Sequence, residues 1–335
     1  VLRTLLLFAF TLALLPLAAL SLMPMLWRSD PRLVALVPAA PQFAAAAAIL
    51  VLCFLLLKAR KPALAAFGIM AWNIVQVWPG LGDLTQSAPV DAGVATPIKV
   101  VAFNLWYKNE HPGATLEYLA HSGADVIGLV EATPQLKNAL APLKVLYPYS
   151  VDCIGKDPSC EIMLLSKLPL QHAYAGKIDG AYPYIAEAEI DWGGHPVTVA
   201  MTHLSWPFLL PGEPALNATA LEPPAPEFPD IPRLTQSLQA ANLARHVSRL
   251  PRDLVLMGDF NSASWSSVQQ AFRAATGLDN RGHYLPSWPS WAWPVFRLPI
   301  DHVFARGGAR VTEMRLGPSV GSDHLPIEAE IAVGP

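Results

Sequence analysis

Three apolar stretches near the start of the chain limit what it can become more than any other feature. Leu5–Met23 (LLLFAFTLALLPLAALSLM) carries no charge and is long enough to span a bilayer. Gln42–Leu57 is a second span, entered through Val34–Ala40 and its prolines. Ala63–Trp78 is a third, shorter and carrying Asn73 and Gln76. In hydrocarbon a backbone must satisfy its own polar groups, so these stretches are expected as helices. Arg3 ahead of a short apolar run also fits a cleaved signal peptide. Two further apolar segments behind it favour an anchor of about three transmembrane helices over residues 1–80. The chain is 53% hydrophobic and only 15% charged, against roughly 25% charged in ordinary soluble proteins. The excess sits in this region.

Orientation follows from the loops. Lys58, Arg60 and Lys61 lie between the second and third stretches, a denser basic set than Arg28 and Arg32 with Asp30. The denser loop is expected in the cytoplasm, with Arg3. Three crossings then leave the rest of the chain outside. If the third stretch does not cross, the rest is cytoplasmic instead. Cys153 and Cys160, with Gly155 and Pro158 between them, are close enough in sequence to form a disulfide. The alternative is two unrelated loop thiols, with Cys53 packed or facing lipid. A disulfide favours the oxidising side. Val1 fits a GTG start codon, a bacterial habit. The expected location is therefore a bacterial inner membrane, multi-pass, with the larger domain periplasmic or extracellular.

Residues 81–97, small, polar and rich in turn formers, read as a linker. A single domain is expected over 98–335. IKVVAFNL and DVIGLVEA are apolar on both faces, as buried strands are. TLEYLAHSG reads as a helix ending at Gly123, and Thr133-Pro134 opens another with Pro at its first position. In YIAEAEID, Tyr184, Ala186, Ala188 and Ile190 share one face, while Ile185, Glu187, Glu189 and Asp191 share the other. IMLLS, PVTVAMTHL, DLVLMGDFN, DHVFA, VTEMRLG and IEAEIAV read as further strands. Arg233–Leu250 and Ser264–Thr276 read as helices. Buried and half-buried strands with helices between them predict an α+β fold: two packed β-sheets flanked by helices, a four-layer α/β/β/α sandwich. Pro207–Pro232, proline-rich and without periodicity, reads as an insertion.

Apolar strands repeatedly stop on a polar residue: Asn104, Glu131, His203, then Asp259 and Asn261 around Phe260. Asp301 and His302 open one strand, and Asp323 and His324 precede the last. Any one of these reads as a turn former. As a set they can converge at one mouth of a sandwich. They would offer oxygen ligands for Mg²⁺, donors for a phosphate oxygen and His/Asp pairs for proton transfer. No spacing suggests structural zinc, a serine-hydrolase elbow or a phosphate loop. The net charge of −3 argues against a dedicated polyanion-binding surface.

At FNLW, GLVEA, IMLLSK, THL, GDFNS, PIDHVF and SDHLPI the chain resembles the endonuclease/exonuclease/phosphatase superfamily. That group includes secreted deoxyribonucleases, abasic-site endonucleases, neutral sphingomyelinases and inositol polyphosphate phosphatases. With its anchor, the chain looks like bacterial membrane-bound members. The resemblance implies Mg²⁺-dependent hydrolysis of phosphodiester or phosphomonoester bonds, with Mn²⁺ as a substitute ion. Glu131 would be the principal metal ligand, beside Asn104, with Asp323 contributing. Asp259 would orient or deprotonate the attacking water, and Asn261 would bond the scissile phosphate. His203 and His324 would contact phosphate oxygens and serve the nucleophile or leaving group, with Asp301 holding His324 in its working tautomer. Relatives often carry Gln where Val130 stands, glycine near Cys160-Glu161, and Tyr at His302. The bland reading of His302 is a packed ring.

The substrate implied is nucleic acid or phospholipid, and membrane lipid would be met through the N-terminal helices. A non-catalytic binding module would not need the whole polar set. No protein partner can be inferred. Leu285–Pro294 sets Trp288, Trp291 and Trp293 among prolines. They are candidates for a substrate rim, stacking on bases or lying at a bilayer interface. The alternative is packing over a sheet edge.

Overall fold

The structure, a computed structural model, describes residues 1–81, 97–207, 235–280 and 284–334. Most of the expected linker and nearly all of the Pro207–Pro232 insertion lie outside these residues, as does Arg233. The chain begins with helix α1 (Leu2–Leu26), the short α2 (Pro31–Val34), α3 (Ala40–Leu56) and α4 (Arg60–Leu81). Three helical segments, Leu2–Leu26, Pro31–Leu56 and Arg60–Gly80, are long and apolar enough to cross a membrane. Asn73 does not interrupt the third. It is buried, and its Nδ2 donates to Ser21 Oγ of α1 at 2.9 Å and to Ile69 O at 2.9 Å. A polar side chain inside an apolar bundle is tolerated when a neighbouring helix bonds it.

The remaining elements build two sheets. Strands β1 (Ile98–Asn104), β2 (Val126–Val130), β3 (Tyr149–Asp152) and β4 (Met163–Ser166) join β10 (Ala309–Leu316) and β11 (Ile327–Val333) in the order β10-β11-β1-β2-β4-β3. Strands β5 (Gln171–Ile178), β6 (Ala181–Trp192), β7 (His195–His203), β8 (Leu254–Asp259) and β9 (Asp301–Arg306) form the second sheet in chain order. Each sheet holds one parallel pair, β1 with β2 and β7 with β8, flanked by antiparallel neighbours.

The sheets bury their facing sides in one core. Val100, Leu129 and Ile327 of the first sheet share it with Val199, Met257 and Val303 of the second. Helices α5 (Pro112–His121) and α6 (Pro134–Ala139) pack outside the first sheet through Leu119 and Leu136. Helices α7 (Thr235–Arg249) and α8 (Ser267–Thr276) cover the second through Leu243, Val247 and Phe272. This is the expected four-layer α/β/β/α sandwich, preceded by apolar helices.

Several elements differ from expectation. The second face of YIAEAEID is covered, not solvated: Ile185 is buried in the core beneath α7, and Glu187 Oε2 lies 2.8 Å from His246 Nε2 of that helix. The helix expected from Ser264 begins at Ser267, because Ser266 caps it by accepting from Gln269 N. Strands β3 and β5 were not expected. They are edge strands with exposed residues, so neither carries a buried stripe.

Close packing of β7 on β8 dictates one glycine. A Cβ at Gly258 would run into the backbone carbonyl of Thr202, its parallel partner. Gly258→Ala should therefore cost on the order of 1–3 kcal/mol. The check is thermal unfolding of the full chain in detergent. An unchanged midpoint would show that the strands separate without cost.

Candidate active site

Strand register assembles the site. In the second sheet, His203 pairs with Asp259 and Asp259 with Asp301, so the last residues of β7 and β8 and the first of β9 lie side by side. In the first sheet, Asn104 pairs with Val130, which puts Glu131 just past the same edge. Strand β11 runs antiparallel to β1, with Ala102 opposite Ile327. The turn before β11, carrying Asp323 and His324, therefore meets that edge too. Glu131, directly after β2, and Asn261, two residues after β8, take positive φ values of 54° and 48°. Such conformations are uncommon for residues with a side chain and concentrate at functional sites. The cleft is about 390 Å³ and is lined by Glu131, Glu161, His203, Asp259, Asn261, Trp288, Asp323 and His324 among others.

Asn104 lies beneath it, buried. Its Nδ2 donates to Glu131 Oε1 at 2.9 Å and to Asp259 Oδ2 at 3.0 Å, and its Oδ1 accepts from Trp106 N. Glu131 Oε2 accepts from Tyr107 N. Asp323 Oδ2 accepts from Trp288 Nε1 at 3.0 Å, whereas Asp323 Oδ1 is buried with no hydrogen-bond partner among the described residues. Burial pushes the Asp323 carboxyl up. His324 and Trp288 oppose this, and the charge of Glu131 adds to it. An orphaned carboxylate oxygen in a cleft that a second carboxylate, Glu131, also lines fits a hard divalent cation. Asn104, with both amide ends engaged, fits better as the support of Glu131 than as a ligand.

Asp259, Asp301 and His324 also bring ligand atoms within 4.8 Å of one another. Their bonds suit proton handling better than metal binding. Asp301 Oδ2 accepts from His324 Nδ1 at 2.8 Å, and both Asp259 oxygens already accept, Oδ1 from Asn261 N and Oδ2 from Asn104. His324 Nε2 stands 3.6 Å and His203 Nε2 3.7 Å from Asp259 Oδ2. Burial raises Asp259 to about 7, reinforced by Asp301 and moderated by His324 and His203. Burial alone would depress both imidazoles, but carboxylates override it. Glu161 brings His203 to about 10, and Asp301 brings His324 to about 9.

Sequence reading marks Cys160-Glu161 only as a departure from relatives at the pocket wall and gives Glu161 no role. Its Oε1 lies 2.6 Å from His203 Nδ1, mirroring Asp301 on His324. Glu161 follows Cys160, which is disulfide-bonded to Cys153, and its backbone carbonyl accepts from Ala132 N beside Glu131. It ends no apolar strand, so the signal that found the others is absent. Gln236, which sequence reading assigns no chemistry, holds the loop after β8: its Nε2 lies within 3.1 Å of the carbonyls of Ser205, Phe260 and Asn261. Of the three loop tryptophans only Trp288 reaches the cleft. Trp291 and Trp293 are 80% and 77% exposed, so they do not pack over a sheet edge. His302 is a packed ring between Phe260 and Phe304, and its Nε2 donates to Ser262 O at 2.8 Å.

The model of the Endonuclease/Exonuclease/phosphatase family matches residues 101–324. No curated protein sequence matches the chain. Among solved structures, an endonuclease/exonuclease/phosphatase from Bacteroides vulgatus is similar at TM-score 0.54 and 13% identity, covering 72% of this chain and 100% of that one. A humanized D. rerio TDP2 is similar at 0.52 and 15%, covering 71% and 99%. The human Nocturnin catalytic domain with bound sulfate anion is similar at 0.51 and 14%, covering 72% and 96%. At these identities the likeness is one of fold.

Burial lowers His302 from 6.5 to about 4. Between those values the unfolded chain takes a proton that the folded ring refuses. The stability His302 contributes is therefore present above pH 6.5 and lost as pH falls toward 4. The advantage of wild type over His302→Gln should shrink by about 2 kcal/mol between pH 7 and pH 5, read from denaturant unfolding at each pH. A constant gap would mean the ring titrates freely.

Proposed function

The chain belongs to the endonuclease/exonuclease/phosphatase family, a superfamily of metal-dependent phosphoric ester hydrolases, and from that premise we propose that it hydrolyses a phosphodiester by direct attack of water. One observation carries the proposal. Asp259 lies between two imidazoles, each braced by its own carboxylate, beside the carboxylate pair Glu131 and Asp323.

Glu131 and Asp323 would hold a divalent cation, Mg²⁺ or in its place Mn²⁺, which when bound neutralises charge on the phosphoryl oxygens. Asp259, raised toward neutrality by burial, accepts the proton of the attacking water. Charged His203 and His324 donate through Nε2 to the phosphoryl oxygens, and the imidazolium on the leaving-group side protonates the departing oxygen as the P–O bond breaks. Glu161 and Asp301 fix the two rings by holding Nδ1–H. Asn261 Nδ2 donates to Leu204 O and stands 3.3 Å from His203 Nε2. A protonated His203 cannot accept there, which leaves an amide hydrogen for the scissile phosphate.

The domain would work outside the cytoplasm of a bacterial cell, periplasmic or extracellular, held by a three-helix anchor over residues 1–80. Three apolar helices, the basic turn at Lys58, Arg60 and Lys61, and a disulfide between Cys153 and Cys160 support this orientation.

The purified full chain with Mg²⁺ should cleave a chromogenic phosphodiester, and chelation should abolish the activity. Asp259→Asn and Glu131→Gln should each lose about 10²–10⁴-fold in kcat. Glu161→Gln should fall less, since a neutral amide still orients His203. Wild-type activity unaffected by chelation, or retained by Asp259→Asn, would overturn the proposal.

A further inference from the structure

The loop Ser290–Arg297 is held firmly, yet its large apolar side chains stay mostly exposed. Arg297 ties its backbone, with Nη2 donating to Ser290 O and Nε to Ala292 O, both at 2.8 Å. Trp291, Trp293, Val295 and Phe296 are nevertheless 58–80% exposed. Four large apolar side chains on one short ordered loop mark a contact surface, not an accident of loop composition.

Two attachments say what covers it. Gln42, in the first turn of α3, donates through Nε2 to Val295 O at 3.1 Å and Arg297 O at 3.0 Å. Nearby, Trp265 donates to Val37 O at 2.9 Å and packs with Ala40 and Val77, clamping the domain to the same end of the helices. The exposed loop is therefore fixed at the level where α3 enters the membrane, the end of the helices at which α1 finishes with exposed Leu26 and Trp27. Tryptophan at that depth is favourable, because its amphipathic ring suits the headgroup layer.

The same loop is bound to the active site. Ser290 donates through its backbone N to Asp323 O and through Oγ to Ser322 O at 2.7 Å, while Trp288 holds Asp323 Oδ2. Ser287 Oγ donates to Asp301 Oδ2, the brace of His324. We propose that Trp291, Trp293, Val295 and Phe296 form a wedge seated in the bilayer that the chain's own helices cross, and that it sets the cleft at headgroup level to act on lipid phosphodiesters. The substrate part rests on the hydrolase reading above; the wedge does not.

The test uses the full chain in phosphatidylethanolamine/phosphatidylglycerol proteoliposomes. With Cys53→Ser as background, Trp293→Cys and Arg310→Cys, exposed on β10, each carry an environment-sensitive fluorophore. The label at 293 should be quenched by nitroxide lipids and shielded from aqueous iodide, and the label at 310 should show the reverse. Equal iodide quenching at both positions overturns the wedge, whatever the enzyme does. In parallel, the Trp291→Ser/Trp293→Ser/Phe296→Ser variant should lose at least tenfold on vesicle phospholipid while keeping its rate on a soluble chromogenic diester. Unchanged phospholipid turnover, or equal loss on both substrates, overturns the assignment of the loop to lipid delivery. Cleavage of plasmid DNA with phospholipid untouched overturns the lipid substrate. If no diester of any kind is cut, the hydrolase reading fails while the quenching result still decides the wedge.

Discussion

One buried amide joins the two halves of this site. Asn104 ends a strand of the first sheet, yet its Nδ2 reaches a carboxylate beyond that sheet's edge, Glu131, and one in the other sheet, Asp259. Two anionic groups from different sheets thus share one donor inside the protein, where a hydrogen bond to a charged group is worth more than in water. Asn104 stands between Glu131 and Asp259 and bonds both. A shift of either sheet along its strands would break this bond before it disturbed the apolar core, since facing apolar side chains tolerate sliding better than a bifurcated amide does.

The same constraint explains why the functional residues lie at strand ends. Each sheet carries its parallel pair in its interior, so two neighbouring strands per sheet stop together and release their next residues on one side. Positive φ at Glu131 and Asn261 turns the chain sharply there and keeps the side chains over the edge. The loops that follow are then fastened from below. Gln236 collects three carbonyls, His302 takes Ser262 O, and the Cys153–Cys160 bond anchors the approach to Glu161. Rigidity of this kind is what a site needs to hold like charges close together.

That geometry also accounts for what could be read from sequence. Asn104, Glu131, His203, Asp259 and Asn261 are visible because a polar residue that terminates a buried strand breaks a strong apolar pattern. Asp301, Asp323 and His324 show the same break at strand starts. Glu161 makes the same kind of contact as Asp301 but sits in a loop after Cys160, and no periodicity marks a loop position. Strands β3 and β5 escaped notice because edge strands need no buried stripe. The polar face of YIAEAEID misled in the opposite way: Glu187 looks solvated, and only a distant histidine, His246 on α7, reveals that a helix covers it. For Trp291 and Trp293 the sequence leaves an exposed rim and packing over a sheet edge both open; their exposure decides for the first, and only the structure shows that α3 bonds their loop.

The charges in the cleft bear on the chemistry more directly than any single residue. Glu131, Glu161, Asp259 and Asp323 line it, with Asp301 just behind, against only two histidines. A phosphodiester brings a further negative charge, so an unmodified wall of carboxylates would repel it. Two devices reduce that repulsion. Glu161 and Asp301 are each spent on an imidazole, which turns two of the acids into supports for the rings of His203 and His324. Asp259, desolvated and raised to about 7, carries less charge than an exposed aspartate would. Glu131 and Asp323 hold no imidazole at hydrogen-bond distance; burial raises Asp323 too, but its Oδ1 has no hydrogen-bond partner among the described residues. Those two acids are where a divalent cation would relieve the remaining repulsion and admit the phosphate.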